Sequence, residues 1–125
     1  MRDYQTVKER AIPHDVWMQT LAIIRGYYRR LENLNNAMDE TNVPDVPGGS
    51  GVGSVVESKA AKRERDRDVV AAIDKAIYAI PEEYRVGVWR KVMFNERYPR
   101  DADLKTYSRH KADFVLRVAL YLEIW

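Results

Sequence analysis

The stretch IPEEYR, residues 80–85, marks the beginning of a helix on which the C-terminal half of the chain depends. Pro81 suits a first helical turn because its missing N–H has no partner there. Glu82 and Glu83 lie at the positive end of the helix dipole. Apolar residues then recur at helical spacing: Tyr84, Val88, Trp89, Val92 and Met93. This spacing predicts a broad apolar face that another helix must cover.

The last helix of the chain is the partner predicted for this face. It begins near Thr106 and repeats the same period with Tyr107, Phe114, Val118 and Leu122, widened by Val115, Tyr121 and Trp125. The pair Tyr98-Pro99 breaks the chain between the two helices. Residues 80–125 therefore predict two packed helices joined by a corner.

Three segments carry a resemblance to a known family: AIDKAI at 72–77, IPEEYR at 80–85 and TYSRHKADF at 106–114. They resemble the C-terminal half of the RinA/ArpU-type phage late-gene transcriptional activators. That family in turn resembles the promoter-reading C-terminal domain of sigma factors. The resemblance covers the last half of the chain and, more loosely, residues 21–34. It implies a phage or prophage regulator of late or packaging genes, with DNA and RNA polymerase as partners and the last helix in the major groove.

One departure from this family concerns the middle of the helix-turn-helix. The family places a short complete helix before the recognition helix, but here only residues 94–106 are available, with Pro99 in their middle. Two alternatives follow. Residues 101–105 form a single helical turn in its place, or residues 80–125 are a degenerate helix-turn-helix-like unit. The second alternative predicts a helical protein-interaction module, such as a phage-encoded inhibitor or packaging adaptor, without sequence-specific DNA reading.

The positive charge is local. The whole chain has 21 Lys and Arg against 19 Asp and Glu, whereas residues 85–117 hold nine basic and four acidic residues. The predicted DNA contacts are Lys105, Arg109, His110, Lys111 and Arg117 on the last helix, with Arg90 and Lys91 on the preceding one. Arg109 and Arg117 also bracket Asp113 at helical spacing, so surface ion pairs are the alternative for both.

The N-terminal part of the chain predicts one long helix over residues 14–38, packed on the C-terminal unit. Its apolar stripe consists of Trp17, Leu21, Ile24, Tyr28, Leu31 and Met38. Asn35 is the polar residue in this stripe, and it either fixes the register of a homo-oligomer or is exposed. Residues 41–57 contain two prolines and four glycines and predict a flexible linker. Ser58 then predicts the beginning of the next helix, with apolar residues spaced from 69 to 80.

These segments predict an all-α protein with four main helices in a single domain, residues 1–125. The chain has no cysteine, which excludes disulfides and thiolate metal sites. Glu82 and Glu83 point about 100° apart on a helix and do not converge on one substrate. We therefore predict no catalytic residue, no metal, no cofactor and no enzyme activity. No leader or membrane-spanning pattern occurs, so we expect a cytoplasmic protein without a membrane partner.

Overall fold

In the computed structural model of the protein, residues 12–40 and 52–125 are described, with side chains described for 12–36 and 59–125. These residues form five α-helices, which we name α1 (His14–Arg25), α2 (Tyr27–Glu40), α3 (Val52–Tyr78), α4 (Glu82–Phe94) and α5 (Leu104–Tyr121). Every regular element in this part of the chain is helical. The predicted all-α class is therefore confirmed, with five helices instead of the predicted four.

The predicted long N-terminal helix is interrupted at Gly26. The Gly26 N–H donates to the Ile23 carbonyl at 3.1 Å, an i to i−3 bond that tightens the end of α1. Beyond this turn the two helices have different partners. Helix α1 packs on α4 and α5, whereas α2 packs along α3. The stripe read as one helix therefore serves two packing surfaces, and glycine, a poor helix former, lies where the direction changes.

The core lies around α5, which contacts α1, α3 and α4. The face predicted between the last two helices is buried, with Val88, Val92, Tyr107, Phe114, Val115 and Val118 in the core. Trp89 is half-buried at its edge. Trp125, which the sequence assigned to the same face, is instead 49% exposed, because α5 ends at Tyr121 and the chain turns at Glu123 with φ of 56°.

Polar bonds hold α2 against α3. Arg30 donates to the Asp66 carboxylate at 2.7 Å, and the Asp66 side chain is only 5% exposed. One turn earlier on α2, the Tyr27 hydroxyl donates to Asp74 at 2.8 Å. Burial and this bond raise the pKa of Tyr27 to about 12. Asn35 on the same helix is exposed in the single chain, which both of its interpretations require.

Helix α3 begins at Val52, six residues before the predicted start at Ser58. It therefore takes in residues 52–57 of the predicted linker, and the remainder of that linker, residues 41–51, lies outside the described residues. With 27 residues α3 is about 40 Å long. None of the described helices is both long and apolar enough to cross a membrane.

Candidate nucleic-acid interface

The segment between α4 and α5, residues 95–103, contains no helix. We call it the joint. Asn95 ends α4 in the left-handed conformation with φ of 55°, and the Glu96 N–H donates a hydrogen bond to the Arg90 carbonyl at 3.3 Å. Of the two sequence alternatives, the single helical turn over residues 101–105 is wrong. Residues 101–102 lie in a turn and Asp103 caps α5. Residues 104–105 are already the first two residues of that helix.

A close approach at Gly87 places the joint against α4. A Cβ at this position would lie 2.6 Å from Tyr107 Cε1 and 2.9 Å from Pro99 Cδ. The missing side chain therefore leaves room for both rings. Tyr107 is itself stacked on Tyr98 of the joint, with ring centroids 4.9 Å apart, and meets Tyr84 of α4 edge to face at 5.3 Å. These rings fix the path of the joint between the two helices.

The acidic side chains of the joint are bonded within the protein. Asp101 accepts the Tyr107 hydroxyl at 2.6 Å, and burial together with this bond raises the pKa of Tyr107 to about 12. Asp103 accepts the Lys105 N–H at 3.2 Å and caps α5. Glu96 lies 3.8 Å from Arg90 in an exposed ion pair. Each carboxylate of the joint thus has a partner on one of the two flanking helices.

Lys105 and Arg109 form an exposed row at the beginning of α5. They are four residues apart and so lie on the same face of the helix. Neither side chain has a hydrogen bond or ion pair with the part of the chain that the structure describes. These are two of the seven predicted DNA contacts, and their position at the positive end of the helix dipole suits anions.

Two other predicted contacts on α5 face the protein interior. Lys111 is 8% exposed, and its Nζ lies 5.6 Å from the centre of the Trp17 ring on α1. His110 is half-buried and stacks on Tyr84 with ring centroids 4.6 Å apart. Lys111 is therefore unsuited to contact phosphate, since it is turned toward α1.

Arg117 is half-buried and bonded within its own helix. Its Nε donates to the Asp113 carboxylate at 2.9 Å, and its Nη1 donates to the Tyr121 hydroxyl at 3.4 Å. The hydrogen bond to Asp113 is the largest of the effects that raise the pKa of Arg117. For Arg117 the surface ion pair is therefore the better account, whereas Arg109 remains exposed.

The two predicted contacts on α4 differ from one another. Arg90 is exposed and pairs with Glu96, which is itself 54% exposed on its side chain. Such a pair is worth little in water and releases the arginine easily. Lys91 is half-buried, with its Nζ 5.6 Å from the centre of the Tyr98 ring. It is thus directed toward the joint.

Arg97 and Arg100 were not selected from the sequence, although both belong to its local basic excess. Both are exposed, and neither has a hydrogen bond or ion pair to the described residues. They flank Tyr98 and Pro99, which pack inward against Tyr107 and Gly87. The sequence feature that could have identified them is the run RYPR, residues 97–100, in which two basic residues flank two ring residues. Such a run predicts a loop whose rings pack against the protein and whose charges face solvent.

The joint and the first two turns of α5 therefore present four exposed arginine and lysine side chains that have no hydrogen bond or ion pair to residues 12–36 or 59–125: Arg97, Arg100, Lys105 and Arg109. Among the described residues no group of histidine, aspartate or glutamate is arranged to hold a metal ion. No protein-family model, curated protein or solved structure matches the chain.

Proposed function

We propose that this protein is a DNA-binding transcriptional regulator without enzyme activity, of the type that its C-terminal half resembles, the RinA/ArpU-type phage activators. In this proposal the joint and the N-terminal half of α5 bind duplex DNA. By the same resemblance it acts on late or packaging genes, and RNA polymerase is its protein partner. Residues 80–125 would be a shortened helix-turn-helix-like unit.

The observation that carries this proposal is the division of charges around the joint. Asp101 and Asp103 are exposed, but their carboxylates are bonded to Tyr107 and to the backbone of α5. Arg97 and Arg100 are exposed on the same short segment and have no hydrogen bond or ion pair to the described part of the chain. Exposed cations on a segment that the packing of rings holds in place suit a phosphate backbone, because little ordering is required on binding.

Helix α5 supplies a further part of the interface. Arg109 lies in the second turn of the helix, on the same face as Lys105. An arginine near the beginning of a recognition helix can bind guanine with two hydrogen bonds. The geometry supports this role for Arg109 alone on α5, since Lys111 is buried and Arg117 is bonded to Asp113.

A salt-dependent titration of duplex DNA tests the proposal. The logarithm of the affinity should fall linearly with the logarithm of salt concentration. The double variant Arg97→Gln with Arg100→Gln should bind more weakly at low salt and should reduce the slope by about 2, about one for each phosphate contact. Binding that the double variant leaves unchanged in both affinity and slope would contradict the proposed interface.

A matched control removes the same charge elsewhere. Arg65 and Arg67 on α3 are also exposed and lie in a segment of alternating charges. Changing both to glutamine lowers the net charge by the same amount, so an equal loss of affinity would show a general charge effect instead of a contact. Arg109→Ala, tested on selected sites, should cost about 1 to 3 kcal/mol and relax the preference at one base pair.

The second candidate function is a helical protein-interaction module. It is favoured by the missing helix between α4 and α5 and by apolar side chains on the surface, among them Val86 (60% exposed) and Leu104 (64% exposed). Absence of duplex binding at low salt, combined with a stable complex with a host or phage protein that Val86→Ser or Leu104→Ser weakens, would favour this function over the first.

A further inference from the structure

Two aromatic rings are stacked on the surface where α2 and α4 meet. Tyr28 near the beginning of α2 and Phe94 at the end of α4 have ring centroids 6.2 Å apart and an angle of 14° between their planes. Tyr28 is 49% exposed and Phe94 57% exposed. We call this pair the aromatic step. Rings of this size are usually buried in a small domain, so their exposure requires an explanation.

The aromatic step is held in place from beneath. The Trp89 Nε1–H donates to the Tyr28 hydroxyl at 2.9 Å, and the Trp89 ring meets Tyr28 edge to face at 6.1 Å. Tyr27 meets both rings edge to face, at 5.3 Å from Tyr28 and 5.0 Å from Trp89. Tyr28 is therefore fixed before any ligand arrives.

Three exposed arginines lie close to the aromatic step along the chain: Arg25, Arg29 and Arg97. Arg25 is exposed, and its Nε donates to the Val92 carbonyl at 3.1 Å, which places it beside the last turn of α4. Arg29 is also exposed, with Nη2 3.0 Å from the position that a Cβ on Gly26 would take. Phe94 leads directly into the joint, with Arg97 three residues away.

We propose that the aromatic step binds an unpaired base of a nucleic acid strand by stacking, while the nearby arginines hold its phosphates. Stacking on aromatic rings combined with a basic surface is the usual means by which proteins bind single strands. This inference rests on the proposed function because the joint supplies phosphate contacts to both. It adds that the protein also binds single-stranded or locally opened DNA.

A nucleic acid base fits these observations better than a protein partner. Two half-exposed rings present a small surface, far below the roughly 800 Å² per partner of a stable protein interface. The exposed arginines near the rings suit the phosphates of a nucleic acid strand. The preorganised ring of Tyr28 also suits a flat ligand, which needs a fixed surface on which to lie.

Fluorescence anisotropy with a labelled oligothymidylate of about 15 nucleotides, and with a duplex of the same length, tests the inference. Phe94→Ala should weaken binding of the single strand by about 5- to 150-fold, the equivalent of one lost stacking contact. Binding of the duplex should change by less than about twofold, since its bases are not free to stack. Phe94→Tyr keeps the ring and should keep single-strand binding.

Trp125→Ala is the matched control, because Trp125 is as exposed as Tyr28 but belongs to neither α2 nor α4. It should leave both ligands unaffected. Circular dichroism of each variant establishes that the helices persist. The inference is overturned if wild-type protein does not bind the single strand at low salt, if Phe94→Ala leaves its affinity unchanged, or if Phe94→Ala weakens duplex binding equally. It is also overturned if Phe94→Ala converts a dimer to a monomer in sedimentation.

Failure of this inference is distinguishable from failure of the proposed function. If Phe94→Ala has no effect while the Arg97 and Arg100 double variant loses affinity for both ligands, the joint binds DNA and the aromatic step does not. If the double variant binds the duplex as well as wild type does, the proposed interface is wrong whatever the result at Phe94.

Discussion

The substitution Gly87→Ala has two opposing effects on the stability of the protein, each of known size. Gly87 lies inside α4, where alanine is the better helix former by about 1 kcal/mol. Local propensity alone therefore predicts a more stable protein. The tertiary structure predicts the opposite, because the new Cβ would lie 2.6 Å from Tyr107 Cε1 and 2.9 Å from Pro99 Cδ. Both are atoms of rigid rings and cannot move aside without moving the joint or α5.

The expected magnitude follows from this opposition. Overpacking of a well-filled site costs about 1 to 3 kcal/mol. Two contacts under 3.0 Å place Gly87 toward the upper part of this range, since Tyr107 is completely buried. After the gain in helix propensity, the free energy of unfolding should fall by about 1 to 2 kcal/mol. For a chain of this length the Tm should fall by about 3 to 10 °C.

Thermal unfolding followed by circular dichroism measures this change. Gly26→Ala is the matched control because Gly26 is also buried but has different neighbours. Its Cβ would meet Arg29 Nη2 at 3.0 Å, the end of a flexible side chain, and the Ile23 carbonyl oxygen at 3.3 Å, a milder contact than either of those at Gly87, and the backbone φ of −83° suits alanine. We expect the stability of this variant to be unchanged or raised by up to about 1 kcal/mol.

A Gly87→Ala protein with the wild-type Tm or a higher one would refute the packing of the joint. The rings of Pro99 and Tyr107 would then not approach α4 as closely as the structure has them. Because the same rings position Arg97 and Arg100, Gly87→Ala should also weaken duplex DNA binding under conditions where the protein remains folded. Unchanged affinity would separate the stability of the joint from its proposed function.

Two further predictions concern buried polar groups. Asp66→Ala should lower the free energy of unfolding, measured by chemical denaturation, by about 3 kcal/mol or more, because it leaves Arg30 partly buried without its carboxylate partner. Asp68 is an exposed neighbour, and Asp68→Ala should cost less than about 0.5 kcal/mol. In alkaline titration the stability that protonated Tyr107 provides should be fully present below about pH 10, its unfolded pKa, and should be lost as pH rises toward about 12, its pKa in the folded state; Tyr107→Phe should reduce this loss, and an equal loss in wild type and variant would contradict the assignment.

The sequence was sufficient to predict the elements with strong local signals. IPEEYR marks the beginning of α4 because proline and two glutamates agree with the needs of a helix N-terminus. The period of Val88, Val92, Phe114 and Val118 predicts a buried face, and the structure buries all four. The helical class follows in the same way, since spacing of apolar residues is a property of the chain itself.

Tertiary packing decided the features on which these signals are silent. The stripe from Trp17 to Tyr28 has helical spacing throughout, but α1 and α2 separate at Gly26 because they pack on different helices. Burial of Lys111 against Trp17 was likewise decided by packing. Its spacing from Tyr107 and Phe114 places it on the apolar face of α5, away from Arg109, but a lysine at such a position can still extend to solvent. A long side chain can lie along an apolar surface, and only the position of α1 determines that this one does.

The candidate site shows the same division. Local excess of basic residues was evident from the sequence, and so was the shortage of residues for a middle helix. Which cations are available depended on side-chain contacts: Asp113 and Tyr121 bind Arg117 within its own helix, and the rings of Tyr84 and Tyr98 lie against His110 and Lys91. Sequence composition determines how much charge a segment carries, whereas side-chain packing determines which charges reach the solvent.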